Sequence, residues 1–194
     1  MAIRLILYKL LAILLLLALT GCDTVTTNEL LGTRSNDKPL NKLAVDGVWI
    51  VADETYYVKR VNESELRVAG VEWEDDHFQL HEMTVILTTD QDVPYLNLID
   101  PDSPEGKPEY TFLRVLSAGS SEIVLIPAKT STFQAAVKEG RIAGTIKKEN
   151  HSTTVHLQAT TEELDAFVDP QKIANQFDVT SPLVFRRLTS TEDE

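Results

Sequence analysis

The side chains best able to do chemistry in this 194-residue chain are four histidines, thirty carboxylates and one cysteine. The densest grouping is His77 and His81, with Asp75, Asp76 and Glu82 beside them. Two histidines four apart would meet on a helix face, but the adjoining Thr84-Val85-Ile86-Leu87-Thr88-Thr89 is rich in β-branched residues and favours a strand. In a strand, positions i and i+4 stand about 13 Å apart at roughly 3.3 Å per residue. Two ligands of one zinc each lie only about 2 Å from it. The pair therefore reads as solvated strand-face histidines, which His151 and His156 could join only through tertiary contact. Asp100-Pro101-Asp102-Ser103-Pro104-Glu105-Gly106 invites a calcium reading. An EF-hand loop opening at Asp100 would need glycine at Glu105 and a carboxylate at Thr111, and both fail. Prolines and a glycine make it a hairpin loop instead. There is no Gly-x-Ser-x-Gly elbow and no phosphate-cradling glycine loop. The run of Glu72, Glu74, Asp75 and Asp76 reads as a solvated face. No metal, no cofactor and no catalytic residue is expected, and the chain reads as a non-enzyme.

The cysteine is different. Cys22 is the only one in the chain, so no disulfide can staple the fold. Ahead of it, residues 1–9 carry Arg4 and Lys9, Leu10 to Leu19 is unbroken Leu, Ala and Ile, and Thr20 and Gly21 are small. A basic start, a short apolar segment and small residues at the junction are the anatomy of a secretory signal. A membrane-spanning helix needs roughly 20 apolar residues, and this run is about half that.

Leu19-Thr20-Gly21-Cys22 resembles the lipobox of bacterial lipoproteins. The resemblance implies that a dedicated signal peptidase reads Leu19, Thr20 and Gly21 and cuts before Cys22. It also implies that Cys22 carries a diacylglyceryl thioether, usually with a further acyl chain such as palmitate. Each buried lipid methylene contributes about 0.8 kcal/mol, so two or three chains hold almost permanently. Asp23 resembles the inner-membrane retention signal of enteric-type sorting. The expected location is the periplasmic face of the inner membrane, with the outer membrane as the alternative.

Charge narrows the partners. The formal net charge is −12, and removal of Arg4 and Lys9 with the signal would leave −14. Such a chain lacks the Lys/Arg surplus that displaces phosphate counterions, which argues against nucleic acid. Attraction to anionic headgroups cannot hold it to a membrane either, so attachment must be covalent or apolar.

The elements follow from patterning. Residues 1–21 read as signal peptide. Residues 22–43, rich in Thr, Asn, Asp and Lys without apolar periodicity, read as a lipidated flexible tether. Residues 44–190 read as one β-rich domain, and 191–194 as an acidic tail. Alternation and turn punctuation predict strands at Gly47–Ala52, Tyr56–Val61, Glu65–Trp73, His77–Thr88, Tyr95–Ile99, Tyr110–Leu116, Ile123–Pro127, Arg141–Lys147, Thr153–Gln158 and Leu183–Leu188. Around Gly70 the apolar parity changes from Leu66 and Val68 to Val71 and Trp73, which predicts a bulge or bend. Helices are predicted at Thr132–Glu139, capped by Ser131 and stopped by Gly140, and after the capping box Thr160-Thr161-Glu162-Glu163. Asp169-Pro170 predicts a further turn through Ile173 and Ala174. The fold class is therefore mostly β: an antiparallel barrel or strongly curved sheet of roughly eight to ten strands. Two or three short helices belong to its C-terminal half.

Gly47-Val48-Trp49 opens the first expected strand, and Arg186 stands in the last. A Gly-x-Trp on strand one, about eight strands and an arginine from the final strand over the tryptophan resemble the lipocalin and calycin barrels. In that resemblance Trp49 and Arg186 close one end of the barrel through a cation–π contact, and the other end takes one small apolar molecule. Tyr56, Tyr57, Trp73, Phe78 and Phe112 would be available to line the cavity. The alternative is a non-catalytic scaffold that presents an edge or an acidic face to another envelope protein.

Overall fold

The structure is a computed structural model describing residues 23–34, 45–74, 76–101, 103–104, 106–149 and 152–188. Each strand expected from residue 47 onward is present, with ends moved by up to three residues. In chain order these are β3 (Gly47–Val51), β4 (Glu54–Asn62), β5 (Glu65–Glu74), β6 (His77–Asp90), β7 (Val93–Ile99), β8 (Tyr110–Ala118), β9 (Glu122–Pro127), β10 (Gly144–Glu149), β11 (Ser152–Leu157) and β12 (Leu183–Arg187). Two more precede them, β1 (Thr24–Thr27) and β2 (Thr33–Arg34).

Strands β3 to β9 pair each with the next, β12 pairs with both β9 and β3, and the sheet closes into an eight-stranded antiparallel barrel. The wall is an up-and-down meander with one insertion, residues 128–182, between β9 and β12. That insertion carries β10, β11 and three short helices: α1 (Thr130–Lys138), α2 (Thr161–Phe167) and α3 (Ile173–Gln176).

The stretch read as a flexible tether is corrected by the structure, since its first part belongs to the fold. β1 runs parallel to β11, with Thr24 opposite Thr154 and Thr27 opposite Leu157. Its other edge meets the start of β8, pairing Thr27 with Tyr110. Val25 and Leu31 are buried. Residues 35–44 lie outside the described residues, as do the signal segment and the acidic tail.

β8 sits at the junction, and over Tyr110–Val115 both its faces are covered. Leu113 and Val115 point into the barrel with Leu125. Phe112, on the other face, packs outside the wall with Val25, Leu31, Tyr95, Phe133, Leu164 and Phe177. Edge-to-face contacts join this outer core: Phe112 lies 5.7 Å from Phe133 and 6.3 Å from Phe177. The helices thus pack against the barrel's flank, where their apolar faces complete a second core.

Local signals account for most of the detail. The capping box forms as read: the Thr160 side chain accepts from the Glu163 amide, and the Glu163 carboxylate accepts from the Thr160 amide. α1 starts earlier than expected, with Lys129 rather than Ser131 at its N-cap and no side-chain cap. At Asp169-Pro170 the Asp169 carboxylate accepts from the Gln171 amide in a turn, and α3 follows only after Lys172. Gly70 is no bulge, because β5 and β6 stay in continuous register from Glu65–Ile86 to Glu74–His77. The register shifts lie instead between Arg60 and Asn62 and between Val115 and Ser117. Gly70 lies beneath the Tyr56 ring, where a Cβ would come within 3.0 Å.

Candidate functional site

One end of the barrel is closed. Trp49 is fully buried, its indole N–H donates to the Val45 carbonyl at 2.8 Å, and the guanidinium that covers it belongs to Arg187, 5.1 Å from the ring. Arg187 also donates to the Asp46 carbonyl. The expected residue, Arg186, is corrected by the pairing of β12 with β3. Arg187 lies opposite Trp49 and Arg186 opposite Ile50. Successive strand residues face opposite sides, so Arg186 points outward, exposed, with Glu122 at 3.7 Å. Counting parity from the inward Phe185 would have selected Arg187 from the sequence.

On β3, β4 and β6 the inward rows become less buried away from that floor. Along β3 they pass from buried Trp49 to half-buried Val51, and along β4 from buried Val58 to half-buried Tyr56. Along β6 they run from Leu87 and Val85, both buried, through half-buried Met83 to exposed His81. Leu96, Leu98, Ile123, Leu183 and Phe185 are likewise half-buried and packed on the core clusters of the barrel. An eight-stranded barrel is just wide enough to be filled by side chains or to hold one small ligand. Here the floor end is filled, and half-buried inward side chains lie towards the other end, Tyr56 among them with its hydroxyl donating to Glu54.

Of the aromatics expected to line a cavity, only Tyr56 has a described side chain on an inward row. Phe112 lies in the outer core, and the side chain of Trp73 lies outside the described residues. Tyr57 and Phe78 face outward with Val71 and Leu80, all four exposed, along the outside of β4, β5 and β6. His77 and His81 stand on the extended strand β6, where Gln79 contacts the His77 ring at 3.3 Å. Among the described residues, no group of three or more His, Cys, Asp or Glu side chains is gathered to hold a metal ion.

The N-terminal segment is fastened by polar contacts at several points. The Asp23 carboxylate accepts from the Thr153 amide at 2.8 Å. His156 contacts the Thr26 hydroxyl at 3.0 Å, Asn28 at 2.8 Å and Glu109 at 3.3 Å, bridging β11, β1 and the loop before β8. Deeper, the fully buried Asn97 accepts from the Leu31 amide at 3.0 Å and donates to the Leu31 carbonyl and the Thr88 hydroxyl. The Gly32 amide donates to the Asp165 carboxylate at 2.8 Å. Positive φ at Gly32 brings it against the Thr89 carbonyl, where a Cβ would come within 2.9 Å.

This flank holds the most perturbed groups. Burial pushes the Tyr95 hydroxyl up to about 12, a rise that Arg114 opposes and Asp90 and Asp165 reinforce. Burial also raises the carboxyl of Asp90. It raises that of Asp165 as well, against the Gly32 amide and with help from Asp90 and Glu162.

A shallow cleft of about 510 Å³ opens on the surface between α1 and the α2–α3 region, lined by Thr132, Arg141, Phe167, Lys172 and Asn175 among others. Its two cations are paired, Arg141 with Glu139 at 2.7 Å and Lys172 with Asp169 at 2.9 Å. Among the described residues, no helix is long and apolar enough to cross a membrane. Leu19, Thr20, Gly21 and Cys22 lie outside the described residues. No family model, no curated protein and no solved structure matches the chain.

Proposed function

We infer that the chain is an exported lipoprotein, held to a bacterial membrane by lipid on Cys22, whose lipocalin-like barrel takes a small apolar molecule into its open end. The inward rows carry this reading. They pass from a sealed tryptophan floor at Trp49 to half-buried Val51, Val68, Met83, Leu98 and Leu183. Apolar side chains left partly open inside a concave end are the usual material of a small-molecule site. The reading is of a non-catalytic binding protein without metal or cofactor. Asp23 favours the periplasmic face of the inner membrane, with the outer membrane as the alternative. Native mass spectrometry of the detergent-released, delipidated protein tests the ligand. Bound apolar mass should be present in the parent and lost when Met83→Trp and Leu98→Trp fill the open end. A parent that carries no bound mass from any extract would overturn the ligand reading.

A second reading rests on the exposed apolar stripe of Tyr57, Val71, Phe78 and Leu80 on the outer wall. Contiguous apolar surface of this kind marks contact with another macromolecule, here an envelope protein for which the barrel is a scaffold. Crosslinking at Leu80 in intact membranes tests it. A stoichiometric partner, lost with Leu80→Ser and Phe78→Ser, would favour the scaffold over the ligand reading.

A further inference from the structure

We propose that the edge of the β10–β11 hairpin formed by Lys147, Lys148 and Glu149 with Ser152 and Thr153 is seated on the phospholipid headgroups of the membrane that holds the anchor, so that the barrel stands at the bilayer surface in a fixed orientation. This rests on the reading of Cys22 as the lipidated residue.

Chain length carries the argument. β1 begins at Thr24, in register beside Thr154, and the Asp23 carboxylate is already bound to the Thr153 amide at 2.8 Å. Only two residue steps separate Thr24 from Cys22, and two steps of fully extended chain reach at most about 7 Å. The headgroup layer on each side of a bilayer is itself about 5 to 7 Å deep. With the cysteine side chain and its thioether added to that reach, this end of β1 still stays within about one headgroup depth of the headgroup surface, inside the Debye length over which charges act on it.

Register then fixes what is brought down with it. Thr154 is paired with Lys147 and Thr153 with Lys148 across the hairpin. Both lysines are exposed, and Lys147 holds Glu149 at 2.5 Å. Lys147 and Lys148 offset Asp23 and Glu149, so these four cancel within a chain of net charge −12. An acidic domain forced against an anionic surface is least repelled through such an edge, and lysines near that surface are attracted within a Debye length.

The test uses the full lipidated chain in vesicles of phosphatidylethanolamine and phosphatidylglycerol that carry a spin label on the headgroup. A fluorophore is attached through Ser152→Cys at the hairpin or, separately, Glu63→Cys in the turn between β4 and β5. Cys22 takes no dye once its sulfur is a thioether. The proposal expects quenching several-fold stronger at the hairpin. It also expects Lys147→Glu with Lys148→Glu to remove most of that difference. Equal quenching at both sites, with the protein still floating with vesicles, would overturn the seating and leave the anchor standing. Failure to float, or dye on Cys22 of the parent, would overturn the anchor and the seating together.

Discussion

The guanidinium of Arg187 lies 5.1 Å over the indole of Trp49, while Arg186 beside it points out of the barrel towards Glu122 at 3.7 Å. The two arginines should therefore respond unequally to truncation. Arg187→Ala removes a cation–π contact and a charge-assisted bond to the Asp46 carbonyl, and should cost about 2 kcal/mol. Arg186→Ala removes an exposed ion pair and should stay within about 0.5 kcal/mol. Urea midpoints for the two variants and the parent measure this directly. Equal losses would mean that the floor of the barrel is held some other way.

Asn97 binds both backbone groups of Leu31 from a fully buried position. Asn97→Ala leaves the Leu31 amide and the Thr88 hydroxyl without that partner, and buried polar groups deprived of a partner cost about 1–3 kcal/mol each. The loss should be local before it is global. Hydrogen exchange at residues 24–34 should accelerate well before exchange in β5 and β6. Gly32→Ala should act similarly, through a strained φ and a clash with the Thr89 carbonyl. Uniform acceleration over the whole barrel would show that the segment has no separate opening.

Tyr95 is buried, and among the described residues its hydroxyl has no hydrogen-bond partner. Its folded pKa is raised to about 12 from 10.0. A raised value means that the folded chain holds the proton more tightly. Stability is therefore full below pH 10 and is lost as the pH rises towards 12. Tyr95→Phe should flatten this alkaline loss and raise stability near neutrality by about 1 kcal/mol, by removing an unsatisfied buried hydroxyl. Denaturation midpoints across the alkaline range test both effects.

The carboxylates divide into two groups of opposite sign. Asp90 and Asp165 are raised, chiefly by burial. Asp169 is lowered by Lys172 and the Gln171 amide, and Asp178 by the hydroxyl and amide of Thr180. On acidification the first pair takes up protons early and the burial penalty is relieved, so stability should rise below neutrality. Below the ordinary value of 3.8, Asp169 and Asp178 are protonated in turn, and the stabilisation they supply is lost. The melting temperature should therefore pass through a maximum in mild acid. Asp90→Asn with Asp165→Asn should remove the rise and keep the fall.

Most of the wall was legible because its residues alternate. Leu96 and Leu98 against Tyr95 and Asn97 report a strand whatever it pairs with, and the Thr160–Glu163 box reports a helix start in the same local way. β1 was not legible. Thr24-Val25-Thr26-Thr27 offers one aliphatic residue, and its ladder is built with β11, near residue 155. A partnership that distant leaves no periodic trace in four residues. The arginine at the floor was missed by one place because adjacent arginines differ only in parity. The apolar shift at Gly70 was visible but ambiguous: a bulge and a stripe facing outward leave the same pattern, and only the unbroken β5–β6 register separates them. Of the aromatics expected inside the barrel only Tyr56 is on an inward row, because the inward positions are held mostly by Val51, Val68, Met83, Leu98 and Leu183, whose alternation carries no aromatic signal.

The parallel ladder between Thr24–Thr27 and Thr154–Leu157 imposes an order of events. The first stretch of the fold finds one edge partner, β8, more than eighty residues further along the chain and the other, β11, about 130 residues further along. Contacts so far apart in sequence are slow to close. This N-terminal segment is thus set in place late, after the barrel that it clasps has already assembled.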